Sequence, residues 1–295
     1  MDILTYTEAH QRFRERLREF CETEIMPHVD QWENDHIVPR EIWQKMGRGG
    51  FLCPTLPAAY GGLGGDFIHC LIVTEELSRT MQTGLAAGLH SDVVVPYIEA
   101  FGSDEQKRTY LPGCVSGDCI TAVAMTEPDA GSDLQAVKVS GHDSANEQPA
   151  TVYQDAEGNW FVRGVKRFIT NGCGEILLVL ARTEPEIADG RGLSLFLVER
   201  GPWVKVRRLE DKLGIHGSPT CELFFKDAPA KLIGERQRGL ITYVMSLMNG
   251  ARIGIAAQSM GIAEAAFRVA RDYAASRRQF GVAIEKLPAI RDMLI

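Results

Sequence analysis

Several features of membrane, exported and nucleic-acid-binding proteins are missing from this sequence. No run of about 18 apolar residues occurs, so no membrane-spanning helix is predicted. The first residues lack a basic segment followed by an apolar stretch, and glutamates arrive early, so we expect no targeting peptide and a cytoplasmic protein. The 32 Lys and Arg are outnumbered by 39 Asp and Glu, and no basic block occurs. This acidic balance argues against nucleic-acid binding.

The cysteines lack the spacing of a metal site or a disulfide framework. There are seven of them, none in a Cys-x-x-Cys pair, and no His-rich cluster accompanies them. We expect reduced, mostly buried thiols and no metal.

What the sequence does contain is enough apolar material for more than one domain. The chain has 295 residues, of which 45% are hydrophobic. Local patterns change twice along it, which predicts an α+β multidomain protein. We expect an N-terminal helical domain at 1–116, a middle β-barrel or β-sandwich domain at 117–230, and the start of a C-terminal helical bundle at 231–295.

The first region carries helix-start signals. Thr5 and Glu8 have the spacing of a capping box, as do Ser103 and Gln106. Asp66 is expected to cap another helix. A short helix is predicted over 39–46, with Pro39 at its start and a glycine after its end.

The second region reads as short strands separated by turn residues, with an irregular surface loop over 141–154. The predicted strands are Ile120–Met125, Trp160–Val162, Ile176–Leu180, Leu193–Val198 and Cys221–Phe225.

The third region returns to helix between Gly239 and about Arg277. Five residues step by four and three along it, a period that predicts one packing face: Ile253, Ala257, Met260, Glu264 and Phe267. A further helix is predicted from Pro288, and because the sequence stops at Ile295 we expect the C-terminal bundle to be incomplete.

Two segments of the middle region carry a resemblance. The run Ala-Met-Thr-Glu-Pro-Asp-Ala-Gly-Ser-Asp at 124–133 is turn chemistry after a strand, yet over its ten residues it resembles the flavin-facing signature of the acyl-CoA dehydrogenase family. The run Gly-Val-Lys-Arg-Phe-Ile-Thr-Asn-Gly at 164–172 resembles the family's second flavin segment, with Phe168 where many relatives have Trp.

Three later segments match the family in the same order. They are 212–223, which closes the β-domain, 248–258, which flanks the substrate channel, and 277–281, whose arginine contacts the FAD pyrophosphate of an adjacent subunit in relatives. Together the matches span nearly the whole chain.

The resemblance implies FAD-dependent dehydrogenation of an acyl-CoA to the trans-2-enoyl-CoA, with electrons passed to an electron-transfer flavoprotein. It also implies a homodimer or homotetramer. The implied cofactor-binding residues are Met125, Thr126, Gly131, Ser132, Phe168, Ile169, Thr170, Arg277, Gln279 and Phe280. The implied substrate-binding residues are Ser132, Met248, Asn249 and Arg252.

The catalytic base is the point where the family pattern fails. Relatives place a glutamate either just before the channel arginine, where this chain has Ala251, or on a loop that maps beyond Ile295. The catalytic residue is therefore left unknown, since Glu127, Glu175, Glu222 and Glu264 are poor substitutes. Two alternatives stay open: a non-catalytic subunit that completes a flavin site with a longer homologue, and an acyl-CoA oxidase.

Overall fold

In the computed structural model, which describes residues 5–82, 84–137 and 152–295, helices precede and follow a mixed sheet. The predicted order of helical, β and helical regions is confirmed. Within the described residues, none of the helices has the length and apolarity needed to cross a bilayer.

Six helices form the first region: α1 (Glu8–Phe20), α2 (Val29–Asp35), α3 (Arg40–Gly49), α4 (Phe67–Arg79), α5 (Val95–Phe101) and α6 (Asp104–Ser116). Wider and tighter helical turns at Cys21–Ile25, Met26–His28 and Leu89–Val94 join or extend them.

The predicted helix starts at Asp66 and Ser103 are confirmed, because each side chain accepts a hydrogen bond from the first turn of α4 or α6. The start predicted at Thr5 and Glu8 is wrong by two residues. Thr7 caps α1, and its partner is the His10 ring, which accepts from the Thr7 amide.

Helix α3 also runs further than predicted, to Gly49, and Gly50 ends it at φ 75°. Gly47 lies inside the helix rather than after it. A β-carbon there would sit 2.3 Å from the Ser116 carbonyl oxygen, so this glycine permits the close crossing of α3 and α6.

The middle region is one seven-stranded sheet in the order β1-β4-β5-β7-β3-β2, with β6 also paired to β7. The strands are β1 (Thr121–Ala124), β2 (Val152–Gln154), β3 (Trp160–Ile169), β4 (Ile176–Arg182), β5 (Leu193–Glu199), β6 (Val204–Leu209) and β7 (Cys221–Ile233). Among the strands within the described residues, β1 and β4 pair in parallel and the other pairs are antiparallel.

All five predicted strands exist, although β3 and β7 are much longer than expected. The predicted loop over 141–154 is wrong at its end, where Val152–Gln154 pairs with β3; its earlier part lies outside the described residues. Strand β4 is apolar up to its last residue, Arg182, because both its faces are covered. Ile176, Leu178 and Leu180 join the core shared with the helices, while Leu177 and Val179 face a second core inside the β-domain.

The last region is dominated by α7 (Met245–Ser276), which follows a wider turn at Gly239–Val244 and packs along α4. A short hairpin, β8 (Arg278–Gln279) and β9 (Val282–Ala283), and the helix α8 (Pro288–Arg291) complete the fold.

The packing face predicted for α7 is wrong. Ile253, Met260 and Phe267 are exposed, whereas Gly261, Ala265 and Ala274 are buried. Because α4 approaches closely, small residues meet it. A β-carbon at Gly261 would lie 2.4 Å from the Glu75 carbonyl oxygen.

Candidate functional site

A cavity of about 580 Å³ lies where the three regions meet. Its walls come from α4, the turn before α5, strand β1, the loop after β6, and the first half of α7. Most of the lining is apolar, which is typical of a site for a small molecule.

The cavity brings together residues predicted from separate motifs. Met125 and Thr170, from the two segments of the middle region that carry the resemblance, line it, as do Met248 and Arg252 of α7. Ala251 also lines it and brings no proton acceptor. Asn249 is exposed on the same helix and accepts a hydrogen bond from the Arg252 guanidinium.

Three other predicted residues, Thr126, Gly131 and Ser132, lie on the turn that follows Met125. Thr126 is half-buried, and the latter two are exposed. Glu127 and Ala130 exchange backbone hydrogen bonds of 2.8 and 3.3 Å, which makes the turn tight. It is anchored to the sheet because the Arg167 amide donates to the Thr126 carbonyl at 2.9 Å.

Lys166, which the sequence reading missed, fixes this turn from inside. Its ammonium group is buried and donates to the Met125 carbonyl at 3.0 Å, to Glu127 Oε1 at 2.9 Å and to the Leu180 carbonyl at 2.7 Å. Burial lowers the pKa of Lys166, and the Glu127 charge opposes that shift. A buried lysine needs a partner, but β3 also carries Arg163 and Arg167, so nothing in the sequence marked Lys166 as the buried cation.

Phe168 stands out in its backbone. Its φ is 58°, a left-handed value that bulky residues rarely adopt. The β3–β7 register shifts between Lys166 and Ile169, so Phe168 leaves the ladder, and its ring is 55% exposed. The Arg167 guanidinium lies 4.7 Å from the ring centroid. Strained residues of this kind cluster at ligand sites. The Ile169 side chain, by contrast, is buried in the inner β core, so only its backbone is available to a ligand.

The structure does not bring Arg277, Gln279 and Phe280 to the cavity. All three are exposed at the far end of α7, Phe280 by 90%. Arg277 comes 26 positions after Ala251, which corresponds to roughly 39 Å along a helix.

Asp92 is the carboxylic acid that lines the cavity among its described wall residues, and the sequence reading missed it. Burial raises the pKa of Asp92 to about 7, and a hydrogen bond with Cys70 partly offsets that rise. The Oδ1 atom is buried with no hydrogen-bond partner among the described residues. Nothing in the run His-Ser-Asp before three valines distinguishes it from an exposed helix start.

The four glutamates considered as substitutes do not line the cavity, and each is ion-paired. Glu127 meets Lys166, and Glu175 meets Arg40. Glu222 and Glu264 pair with arginines: Arg167, Arg207 and Arg208 for the first, Arg79 and Arg268 for the second.

The described residues contain one group with metal-ligand potential, His10, Asp66 and His69. Their ring nitrogens serve the two helix caps, because His10 Nδ1 accepts from the Thr7 amide and His69 Nδ1 from the Asp66 amide. His10 Nε2 also lies 3.1 Å from Asp66 Oδ1, so the cluster has a structural role in joining α1 to α4.

Comparison with known proteins identifies the class. Three family profiles match in order: the acyl-CoA dehydrogenase N-terminal domain at 7–118, middle domain at 122–228 and C-terminal domain at 238–295. These cover most of the chain, and they coincide with the helical, β and helical regions that enclose the cavity. The chain belongs to the acyl-CoA dehydrogenase family.

Individual relatives agree. The long-chain specific acyl-CoA dehydrogenase of pig mitochondria is 37% identical over 98% of this chain, and an acyl-CoA dehydrogenase of Bacillus subtilis is 37% identical over 93%. The crystal structure of an acyl-CoA dehydrogenase from Geobacillus kaustophilus superposes with a TM-score of 0.90 at 38% identity, over 98% of this chain and 74% of that one. The chain spans 66% of the length of the pig protein and 70% of the Bacillus protein.

Proposed function

We propose that this protein binds FAD and an acyl-CoA thioester in the cavity and takes part in oxidising the acyl chain to the trans-2-enoyl-CoA. The main support for the proposal is that Met125, Thr170, Met248 and Arg252 all line one apolar cavity. These residues come from separate motifs, and an arbitrary fold has no reason to gather them.

The residues present fit a flavin ring. Phe168 offers an exposed aromatic face, and Thr170 offers a hydroxyl at the cavity wall. Buried polar atoms that lack a partner among the described residues, Gln82 Nε2 and Ser218 Oγ, belong to two further wall residues. A relative from Bacillus anthracis, 28% identical with a TM-score of 0.86, is described as complexed with FAD.

When bound, FAD supplies a two-electron acceptor for the hydride that leaves the substrate. The residues that would hold it are Met125, Thr126, Gly131, Ser132, Phe168, Thr170 and the Ile169 backbone. Lys166 keeps their turn in place through the Met125 carbonyl.

On the opposite wall, α7 and α4 enclose the acyl chain in apolar surface, which excludes water from the thioester. Arg252 and Lys212 provide the positive charge near the cavity that the phosphates of coenzyme A require. Ser132 and Asn249 are the neutral hydrogen-bonding groups we assign to the same substrate.

Ala251 lines the cavity, which supports the expectation that the position where some relatives have the catalytic glutamate carries no carboxylate here. Proton removal then depends on a group outside the described wall, or on Asp92. For this reason the non-catalytic partner subunit remains the second candidate. The oxidase alternative draws no support from a particular contact.

The exposed Arg277, Gln279 and Phe280 fit contact with FAD bound to another copy, as in a homodimer or homotetramer. Electron transfer to an electron-transfer flavoprotein completes the proposal. It is supported by a solved structure described as the electron transferring flavoprotein of Acidaminococcus fermentans, which matches this chain with a TM-score of 0.88 at 33% identity.

The test is to restore the base. The chain is titrated with FAD, and the flavin absorbance is then followed on addition of octanoyl-CoA. We expect the wild type to bind FAD and stay oxidised, and Ala251→Glu to bleach the flavin because its carboxylate enters the cavity beside the substrate. Ala251→Gln, which has the same shape without a proton acceptor, is the matched control.

Each outcome has a distinct meaning. Bleaching by the wild type that is lost in Asp92→Asn would assign the base to Asp92. Failure to bind FAD at any concentration would remove the flavin site from the proposal. If octanoyl-CoA bleached the flavin of Ala251→Glu no more than that of Ala251→Gln, the placement of the substrate against α7 would be contradicted.

A further inference from the structure

Two cysteines outside the cavity lie in contact. Cys173 occupies the turn between β3 and β4, Cys221 begins β7, and their sulfur atoms are 3.5 Å apart. They are separated by 48 positions in the sequence, so only the fold brings them together.

The backbone around both sulfurs is held firmly. The Arg200 guanidinium donates to the carbonyl oxygens of Gly172 and Gly174, on either side of Cys173. Cys221 pairs with Ile169 on one neighbouring strand and with Leu209 on the other. A disulfide needs a sulfur separation of about 2.05 Å, so closure requires an approach of only about 1.5 Å, within the range of side-chain rotation.

The two thiols differ in access. Cys173 is exposed, whereas Cys221 is fully buried. A recess of about 160 Å³ beside Cys173, bordered by Val38, Trp43 and Asn171, leaves space for a small molecule at the exposed sulfur.

Cys173 is also the reactive thiol. Its hydrogen bond with Cys221 lowers the pKa of Cys173 to about 7, and the Arg200 charge acts in the same direction. Burial raises the pKa of the other thiols outside this pair: Cys21, Cys53, Cys70, Cys114 and Cys119. A thiolate is the nucleophile in thiol–disulfide exchange, so attack is expected at Cys173.

We propose that Cys173 and Cys221 form a reversible dithiol–disulfide pair that reacts with low-molecular-weight disulfides of the glutathione type. The Cys173 thiolate attacks one sulfur of the small disulfide, which breaks its S–S bond and releases one small thiolate. Cys221 then loses its proton and attacks Cys173 Sγ, which forms the protein disulfide and releases the second small thiol. Two protein thiols are oxidised while one small disulfide is reduced to two thiols.

The second step is favoured by the first. The pKa of Cys221 is raised above all by its hydrogen bond with Cys173 and also by burial and by the Cys173 charge. Once Cys173 carries the small thiol, its negative charge and that hydrogen bond are gone, so Cys221 ionises more readily.

Oxidation of the two cysteines would affect the wall of the cavity. Thr170 and Thr220 both line it, and each lies within three residues of one of the two cysteines. The disulfide would tie the turn that carries Thr170 to the start of β7. This coupling does not depend on bound flavin, so the proposal stands or fails separately from the proposed function.

The experiment uses the purified chain and oxidised glutathione. After alkylation of the remaining thiols, intact mass and peptide mapping locate the modified sulfurs. We expect the wild type to lose two hydrogens, to retain no glutathione and to yield a peptide that links Cys173 to Cys221. The oxidised protein should melt about 5 °C higher, because the cross-link restricts the unfolded chain, and dithiothreitol should reverse both changes.

Two variants separate the steps. Cys221→Ser should keep one glutathione on Cys173, because the resolving thiol is gone. Cys173→Ser should react at least tenfold more slowly than the wild type. Glutathione that persists on wild-type Cys173, or oxidation of Cys173→Ser at the wild-type rate, would overturn the proposal. The mass and peptide map of the oxidised wild type test the proposal directly, so the test remains valid even if either variant does not fold.

Discussion

Lys166 anchors the turn that follows Met125. Its buried ammonium holds the Met125 and Leu180 carbonyls and the Glu127 carboxylate at once. Removing one partner of a buried ion pair leaves an uncompensated charge, which typically costs about 3–5 kcal/mol.

We therefore expect Lys166→Met to lower the free energy of unfolding by at least about 3 kcal/mol in a urea titration. The double variant Lys166→Met with Glu127→Gln should recover part of this loss, because no buried charge remains. Lys205→Met, on an exposed position of β6, should change stability by less than about 0.5 kcal/mol. A cost below about 1 kcal/mol for Lys166→Met would show that the pair does not hold the turn.

Asp92 gives the protein a pH dependence of a definite sign. Its native pKa of about 7 lies above the value of about 3.9 in an unfolded chain, so between these pH values the native state binds more protons. The free energy of unfolding should therefore fall as the pH rises through this window. Above it, the protein carries the full destabilisation from an ionised Asp92.

Asp92→Asn removes this titration, so its unfolding free energy should vary less between pH 4 and pH 7. At pH 8 the variant should be more stable than the wild type by up to about 4 kcal/mol, the equivalent of three pKa units. Thermal or urea unfolding at several pH values measures both effects. Asp35→Asn, at an exposed carboxyl, is the control, and an equal flattening in that variant would refute the assignment.

At the scale of elements, the α4–α7 contact sets the cavity wall. Gly261 has no room for a side chain, since an added β-carbon would meet the Glu75 carbonyl oxygen and Ser78 Cβ at 2.4 and 2.7 Å. Gly254, seven positions earlier on the same helix, has nothing within 4 Å of that position.

These two glycines make a matched pair. Gly261→Ala should destabilise the protein by about 1–3 kcal/mol, because α7 is forced away from α4. Gly254→Ala should stabilise it by about 0.5–1 kcal/mol, because alanine loses less backbone entropy in a helix. Chemical denaturation of both variants checks the signs, and equal effects would mean that the helix contact is loose.

The helix caps at Asp66 and Ser103 were predictable, whereas the packing face of α7 was not. Asp66 and Ser103 act on amides two or three residues away, so the signal is local. Helix α7 carries apolar residues on several sides, and only the position of α4 decides which side is buried. The same limit applies to Lys166 and Asp92, whose partners and burial come from distant segments.

At the scale of the whole molecule, contacts between regions position the loop after β6. Glu33 of α2 accepts hydrogen bonds from the amides of His216 at 2.8 Å and Gly217 at 3.0 Å. The loop contributes Lys212, Ile215 and Ser218 to the cavity, so an acidic residue of the first region shapes the site.

Glu33→Leu should therefore increase the amide hydrogen-exchange rates of His216 and Gly217 by about tenfold or more, since hydrogen bonds to a charged group contribute about 1.5–3 kcal/mol. Exchange followed by mass spectrometry measures this over the loop. Glu41→Leu, at an exposed position of α3, should leave the loop unchanged. Unchanged exchange in Glu33→Leu would show that other contacts hold the loop.

The sequence by itself determined the family, the order of helical and β regions, the main helix starts, and the absence of a carboxylate at Ala251. These follow from local chemistry and from contiguous motifs, which a linear reading preserves. Only the tertiary structure decided that Met125, Thr170, Met248 and Arg252 share one cavity, that the Oδ1 atom of Asp92 is buried there, and that Cys173 meets Cys221. Such facts depend on contacts between residues far apart in the chain, and their energies come from burial and desolvation that no short segment creates alone.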